Sequence, residues 1–146
     1  MYVWITAIIR REEIILDVSY TRDNGMFINC SNHKSSDWSK RQLETAKEYG
    51  DVVDIAFPAV DVTSTAEELS EVADGLYEEI IKHAPDYVMC QGEFTLTFAV
   101  VSRLVRKGIK TVAACSERRV EETQLEDGTT RKTAVFEFVG FREYQE

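Results

Sequence analysis

Tyr87-Val88-Met89-Cys90-Gln91-Gly92-Glu93-Phe94-Thr95 passes from an apolar run, through a polar turn, into a helical pattern. Residues Tyr87 to Cys90 read as a strand. Phe94 to Lys107 reads as a helix that carries Phe98, Val101, Leu104 and Val105 inward. Arg103, Arg106 and Lys107 fall in its last turns, where cations meet the negative end of the helix dipole. Gly108 suits the position just past the end. Ile109 to Cys115 is again a short apolar strand. Strand, helix and strand at these lengths make a parallel pair with a crossover helix.

The same alternation extends upstream. Met26 to Cys30 reads as a strand. Ser39-Lys40-Arg41-Gln42 has capping-box spacing and opens a helix through Leu43 and Ala46 that ends near Gly50. Val52 to Phe57 is a strand stopped by Pro58. Ser64 to Glu67 is a second capping box, ahead of a helix with its apolar stripe at Leu69, Val72, Ala73, Leu76, Ile80 and Ile81. His83, read as a solvated dipole partner, and Pro85 mark its end. Downstream, Val120 to Glu122 and Thr130 to Phe141 form a closing hairpin around Asp127-Gly128. Tyr2 to Ile9 and Ile14 to Tyr20 read as antiparallel strands, and Asn24-Gly25 as the tight turn delivering them to Met26.

These elements predict one α/β domain over residues 1–146: a Rossmann-like, mostly parallel sheet with helices on both faces and antiparallel edge strands. Residues 1–25 are an N-terminal strand extension, and 26–146 form the core.

Composition narrows the function. Apolar residues are 44% and charged residues 29% of the 146, a globular balance. Seventeen basic residues face 26 acidic ones, for a formal charge of -9. A protein that tracks long DNA or RNA needs a basic footprint, so no long nucleic acid is expected as partner. No apolar run is long enough to cross a membrane, and no basic segment precedes the first apolar one, so neither a membrane nor a cleaved leader is expected. Cys30, Cys90 and Cys115 are an odd, widely spaced set, which predicts reduced thiols in the cytoplasm.

In open α/β sheets, ligands bind beyond the carboxyl ends of the parallel strands. Three polar clusters fall there: Ser31-Asn32-His33-Lys34-Ser35-Ser36, Gln91-Gly92-Glu93, and Ser116-Glu117-Arg118-Arg119. Gly92 permits close approach to a backbone whose helix N-terminus offers N–H donors. Glu93 repels phosphate but can accept from a ribose or a base. His33 is the candidate for proton transfer near neutral pH, and Arg118 or Arg119 can neutralise a phosphate. Trp38 can stack on a base or staple the first helix. Plainer roles stand beside these: serines as loop and cap residues, Glu93 as a helix cap, Gln91 as a partner for backbone groups, and the arginines paired with Glu117, Glu121 and Glu122. Three thiolates at Cys30, Cys90 and Cys115 could hold zinc. Each precedes a cluster residue, however, so it points away from a face that Ser31, Gln91 and Ser116 share. Dinucleotide, Walker, CxxC and nucleophile-elbow signatures are absent from the sequence.

Phe27-Ile28-Asn29-Cys30-Ser31-Asn32-His33, Trp38-Ser39, Gln42-Leu43 and Asp54-Ile55-Ala56-Phe57-Pro58 together resemble the small CRISPR-associated proteins of the ring-nuclease group. Gln91-Gly92-Glu93-Phe94-Thr95, Ala114-Cys115-Ser116-Glu117-Arg118 and Phe138 to Tyr144 are similar to later blocks of the same proteins. The resemblance implies a homodimer that binds and cleaves a cyclic oligoadenylate second messenger, with no cofactor and no metal. On that reading Ser31, His33 and Arg118 are catalytic. Asn32, Trp38, Gln91, Gly92, Glu93, Thr95, Ser116 and Glu117 bind the ligand. A nucleotide sponge or sensor, and a protein-interaction domain that uses the antiparallel arms, are the alternatives.

Overall fold

The computed structural model describes residues 6–10, 13–17 and 24–146. β1 (Thr6–Arg10) and β2 (Glu13–Asp17) pair antiparallel. The remaining expected strand residues at this end, 2–5 and 18–20, lie outside the described ones. A five-stranded sheet follows, built from β3 (Met26–Ser31), β4 (Asp51–Asp54), β5 (Tyr87–Gln91), β6 (Lys110–Gln124) and β7 (Thr130–Glu143). Its order is β4-β3-β5-β6-β7. The first four are parallel, and β7 closes the edge antiparallel to β6.

That order corrects the expected hairpin at Asn24-Gly25. β3 is flanked on both sides by parallel partners, β4 and β5, which leaves no place for an antiparallel neighbour. Gly25 instead packs backbone against backbone on Gly50. A Cβ on Gly50 would stand 2.2 Å from the Gly25 carbonyl carbon, and Gly50 has a φ of 148°. Asp51 N–H donates to the Gly25 carbonyl oxygen at 2.7 Å. The pair is glycine because two chain segments touch there.

The three crossovers are α1 (Lys40–Tyr49), α2 (Ala66–Lys82) and α3 (Phe94–Arg106). Ser39 caps α1 by accepting from Gln42 N–H. The cap of α2 is Thr65 with Glu68, one residue beyond the expected Ser64–Glu67 pair. Ser64 is held in the preceding turn by its N–H on the Asp61 carbonyl, so the next hydroxyl takes the cap.

Alternation along the strands sends side chains to two separate cores. Ile28, Cys30, Val88 and Cys90 join Ala73, Leu76 and Ile80 of α2 and Leu96, Val100, Val101 and Leu104 of α3. Phe27, Met89 and Val112 join Ala46 of α1, with Trp38 and Phe141 alongside. The expected inward stripe of α3 needs one correction. Phe98 is 75% exposed, and so is Phe94 at 89%, while Leu96 is fully buried. The helix has two candidate apolar stripes, and the sheet takes the one through Leu96, Val100 and Leu104.

β6 differs most from expectation. It does not stop at Cys115 but continues to Gln124, paired residue by residue with β7. A bulge at Cys115/Ser116 marks where the strand leaves the sheet. Beyond it the two strands form a ribbon, the arm, about 30 Å long for the nine residues Ser116 to Gln124 at ~3.3 Å each.

Candidate functional site

The chain crosses from β3 to β4 on one side and later to β5 on the other, so the switch in direction lies between β3 and β5. A crevice is expected at that point, beyond the carboxyl ends of the strands. A cavity of about 740 Å³ lies there, lined by Ser31, Asn32, His33, Trp38, Gln91, Gly92 and Ser116 among others. Seven of the sequence-nominated residues therefore meet in one place. It opens on the α1 side of the sheet, the face that Ser31 shares with Phe27 and Gln91 with Met89.

One wall is the loop after β3, held by side chains. Asn29 is 1% exposed, and all its polar groups are used. Its Nδ2 donates to the His33 carbonyl oxygen at 2.8 Å and to Asp54 Oδ1 at 2.7 Å. Its Oδ1 accepts from the Ser31 hydroxyl at 2.7 Å. Asp54, at the end of β4, also accepts from the Ser35 backbone N–H and hydroxyl. That contact starts the 3-10 turn Ser35–Asp37. His33 and Asn32 are exposed at the rim of the cavity, and no hydrogen bond engages their side chains among the described residues.

The second wall is the β5–α3 turn, and here the plainer readings hold. Glu93 caps α3: its carboxylate accepts from Thr95 N–H at 3.1 Å, Leu96 N–H at 2.9 Å and the Thr95 hydroxyl at 2.7 Å. The Leu96 N–H, then the Thr95 hydroxyl and N–H, hold the carboxyl below its ordinary range. Gly92 N–H donates to Thr97 Oγ1 at 3.0 Å. The expected anion site at this helix start is thus occupied by the protein's own groups. Gly92 is glycine for a packing reason, since a Cβ there would come within 2.4 Å of the Phe57 ring. Gln91 Oε1 accepts from Ala114 N–H at 2.9 Å, just past the last β5–β6 backbone pair. It acts as a substitute carbonyl that prolongs the ladder.

The third wall comes from the root of the arm. Ser116, Phe136 and Phe138 line the cavity. Ser116 faces Phe138 across the ladder and Arg118 faces Phe136, so Arg118 shares their side of the ribbon. Glu117 lies on the opposite side. It accepts from Arg119 at 3.0 Å, and Arg119 also meets Glu137 at 3.0 Å. Arg119 is therefore a paired structural cation. Arg118 has no ion-pair or hydrogen-bond partner among the described residues. The cluster Ser116-Glu117-Arg118 is split by strand alternation: two members face the cavity side, and Glu117 does not.

Trp38 sits between the core and the cavity. Its ring meets Phe27 edge-on at 6.4 Å and Phe141 at 6.4 Å, and it also lines the cavity. Cys30 and Cys90 are cross-strand partners buried on the opposite face. Hydrogen bonding to Cys30, then burial, pushes the Cys90 thiol up, which keeps it neutral. Among the described residues, no three His, Cys, Asp or Glu side chains converge as a metal site.

Sequence reading passed over several lining residues: Asp37, Ser39 and Gln42 near the start of α1, and Phe94 and Phe136 at the rim. It also passed over Asn29 and Asp54. The available signal was Asn29 itself, an amide amid the apolar residues of a buried strand, where an unsatisfied polar group is costly.

A family model described as "Uncharacterized protein MJ1673 family" matches residues 25–142, which is the unit from β3 through nearly all of β7 and excludes β1 and β2. No curated protein and no solved structure matches the chain.

Proposed function

The chain belongs to the uncharacterized protein MJ1673 family; on the resemblance of its sequence blocks and the geometry of its cavity, we propose that it binds and cleaves a cyclic oligoadenylate in CRISPR antiviral signalling, in the cytoplasm and without metal. The observation that carries this reading is one cavity flanked by His33, Ser31 and Asn32 on one side and by Ser116 and Phe136 on the other, with Arg118, itself outside the lining, on the Phe136 side of the arm. The fold it rests on is a Rossmann-like sheet with its crevice at the switch point. At about 740 Å³ the cavity is within the range of small-ligand sites. On the resemblance, the ring lies across two copies of the chain in a homodimer.

In the proposed reaction a ribose 2′-oxygen attacks the adjacent phosphorus, and the bond to the 5′-oxygen breaks. The 2′-hydroxyl proton leaves to a base, and the departing 5′-oxygen gains one. The products are a 2′,3′-cyclic phosphate and a 5′-hydroxyl. His33 is the proton-transfer group. Arg118 offsets the charge that builds on the phosphorane. Ser31 and Asn32 orient the ribose, and Trp38 and Phe136 offer ring faces to a base. The start of α1, where Ser39 and Gln42 reach the cavity, adds a favourable dipole for an anion.

One observation favours a second reading, a sponge or sensor that holds the ring uncut. The donors expected at Gly92 and the start of α3 are taken up by Thr97 and Glu93, which leaves fewer groups to stabilise a transition state. Incubation with cyclic tri-, tetra- and hexa-adenylate in EDTA, with binding and products followed by chromatography, separates the two. Linear products ending in cyclic phosphate establish cleavage, and His33→Ala is then expected to abolish it. Tight binding without products establishes the sponge. Neither binding nor products would sink both readings and leave an interaction domain.

A further inference from the structure

We infer that Asn29 and Asp54 are the positioning residues of this site: a buried amide hydrogen-bonded to an exposed carboxylate, which together fix the conformation of the 31–35 loop and, through it, the placement of His33. The inference rests on the proposed function for its ligand. Its geometric part stands on the loop alone.

Asn29 is on β3 and Asp54 at the end of β4, and their side chains meet at 2.7 Å. Four polar tethers of the loop depart from this pair. Asn29 Nδ2 holds the His33 carbonyl, Asn29 Oδ1 receives the Ser31 hydroxyl, and Asp54 receives both donors of Ser35. His33 N–H completes the set on Ser31 Oγ at 3.3 Å. The His33 side chain is left out of these bonds and exposed, so its aim is set by its backbone, and its backbone is set by the pair. An amide is required at position 29 because two acceptors, the His33 carbonyl and Asp54 Oδ1, converge on one NH2 group. A carboxylate there would place acceptor against acceptor at both contacts.

That requirement makes Asn29→Asp informative. Two carboxylates at this separation cannot both ionise without strong repulsion, and a shared proton relieves it. The variant's loop should be held at low pH and released as pH rises. The other groups facing the pair leave this signature legible. β5 presents Met89 opposite Asn29, and β3 presents Ser31. The start of α1 contributes the uncharged Ser39 and Gln42 to the same cavity, while the loop and 3-10 turn contribute His33 and Asp37. His33 and Asp37 are present in wild type as well, so the quantity to read is the variant-to-wild-type ratio at each pH. In Asn29→Asp/Asp54→Asn the amide lies across the pair and the direct contact is restored, while the carboxylate still meets the His33 carbonyl, so the pH dependence should shrink. Asp54→Asn alone keeps an oxygen for Asn29 and Ser35, whereas Asp54→Ala removes it.

The experiment measures Ser35 and His33 backbone amide exchange without ligand, and cyclic tetra-adenylate affinity and cleavage, for the wild type and these variants between pH 5 and pH 8. Asn29→Asp is expected to lose Ser35 protection and about tenfold in affinity at the upper end relative to the lower. The double variant is expected to vary less with pH than Asn29→Asp, Asp54→Asn to stay close to wild type, and Asp54→Ala to be deficient at every pH. A flat Asn29→Asp ratio, or Ser35 exchange unchanged in Asp54→Ala, overturns the inference. If Asn29→Asp does not fold, the contrast between Asp54→Asn and Asp54→Ala decides it. Because exchange is read without ligand, a wild type that ignores cyclic nucleotides counts against the proposed function, while unchanged exchange counts against the clamp.

Discussion

On one side of the sheet, α2 and α3 lie together over Ile28, Cys30, Val88 and Cys90, and the strand ends are sealed by Phe57 against Gly92. On the other side a single helix, α1, covers Phe27, Met89 and Val112. Beyond that helix Ser31, Gln91 and Ser116 are left to line an open cavity. The two faces come from the same strands, one residue out of step. The difference shows that a site can arise from incomplete cover: the side with one helix fewer is the side where polar strand ends meet solvent. The cysteines illustrate it. Cys30 and Cys90 sit one residue from Ser31 and Gln91, yet they are sealed within the opposite core.

The sharpest way to break this contrast is to truncate one large side chain from each region. Leu96→Ala, in the sealed core, is expected to cost about 2–5 kcal/mol in a urea melt. Phe136→Ala, 68% exposed at the root of the arm, is expected to stay within about 0.5 kcal/mol. Equal losses would mean that the arm face is packed in solution and the asymmetry is false. Next in size is a split between neighbouring arginines. Arg118→Ala should weaken cyclic tetra-adenylate binding by about tenfold or more with the melt unchanged. Arg119→Ala should leave binding alone, because Arg119 is committed to Glu117 and Glu137. Reversed results would move the working side of the arm to its other face.

The smallest effect concerns Glu93. Its carboxyl is lowered by donors it meets only in the folded state, so the stabilisation is present above the unfolded glutamate value and fades as pH falls through the folded one. Wild type should melt slightly above Glu93→Gln at neutral pH, and the gap should close in acid. A gap that persists at pH 2 would mean that the cap acts by shape rather than charge.

Much of this was legible beforehand. The parallel core announced itself as short apolar runs alternating with capped helical stripes, and the site followed from where those runs end. What escaped had physical reasons. Phe98 was assigned inward because Phe94 to Val105 carries more apolar residues than one helix face can bury. Val120 to Glu122 was read as a hairpin arm, but its continuity with the core strand through Ser116 to Arg119 was missed, because a strand exposed on both sides has no apolar alternation. Asn29 and Asp54 lie far apart in sequence and acquire meaning only when β3 and β4 pair. The homodimer and the ring-shaped ligand rest on resemblance and wait on the binding experiment.

Lys110–Gln124 is one unbroken strand with two surroundings. Its inner part is clasped between β5 and β7, and its outer part has β7 alone. Within a ladder a strand resists bending, because bending parts its hydrogen bonds; at a bulge the ladder is already interrupted. The bulge at Cys115/Ser116 is therefore the place where the arm, whose far end is the turn at Asp127-Gly128, would bend first. A force on that tip would swing Phe136 and Arg118 as one piece, while Ser31 and His33 stay with the rigid sheet. The jaws of the cavity meet where β6 and β7 pass the bulge together, beside the buried Phe138.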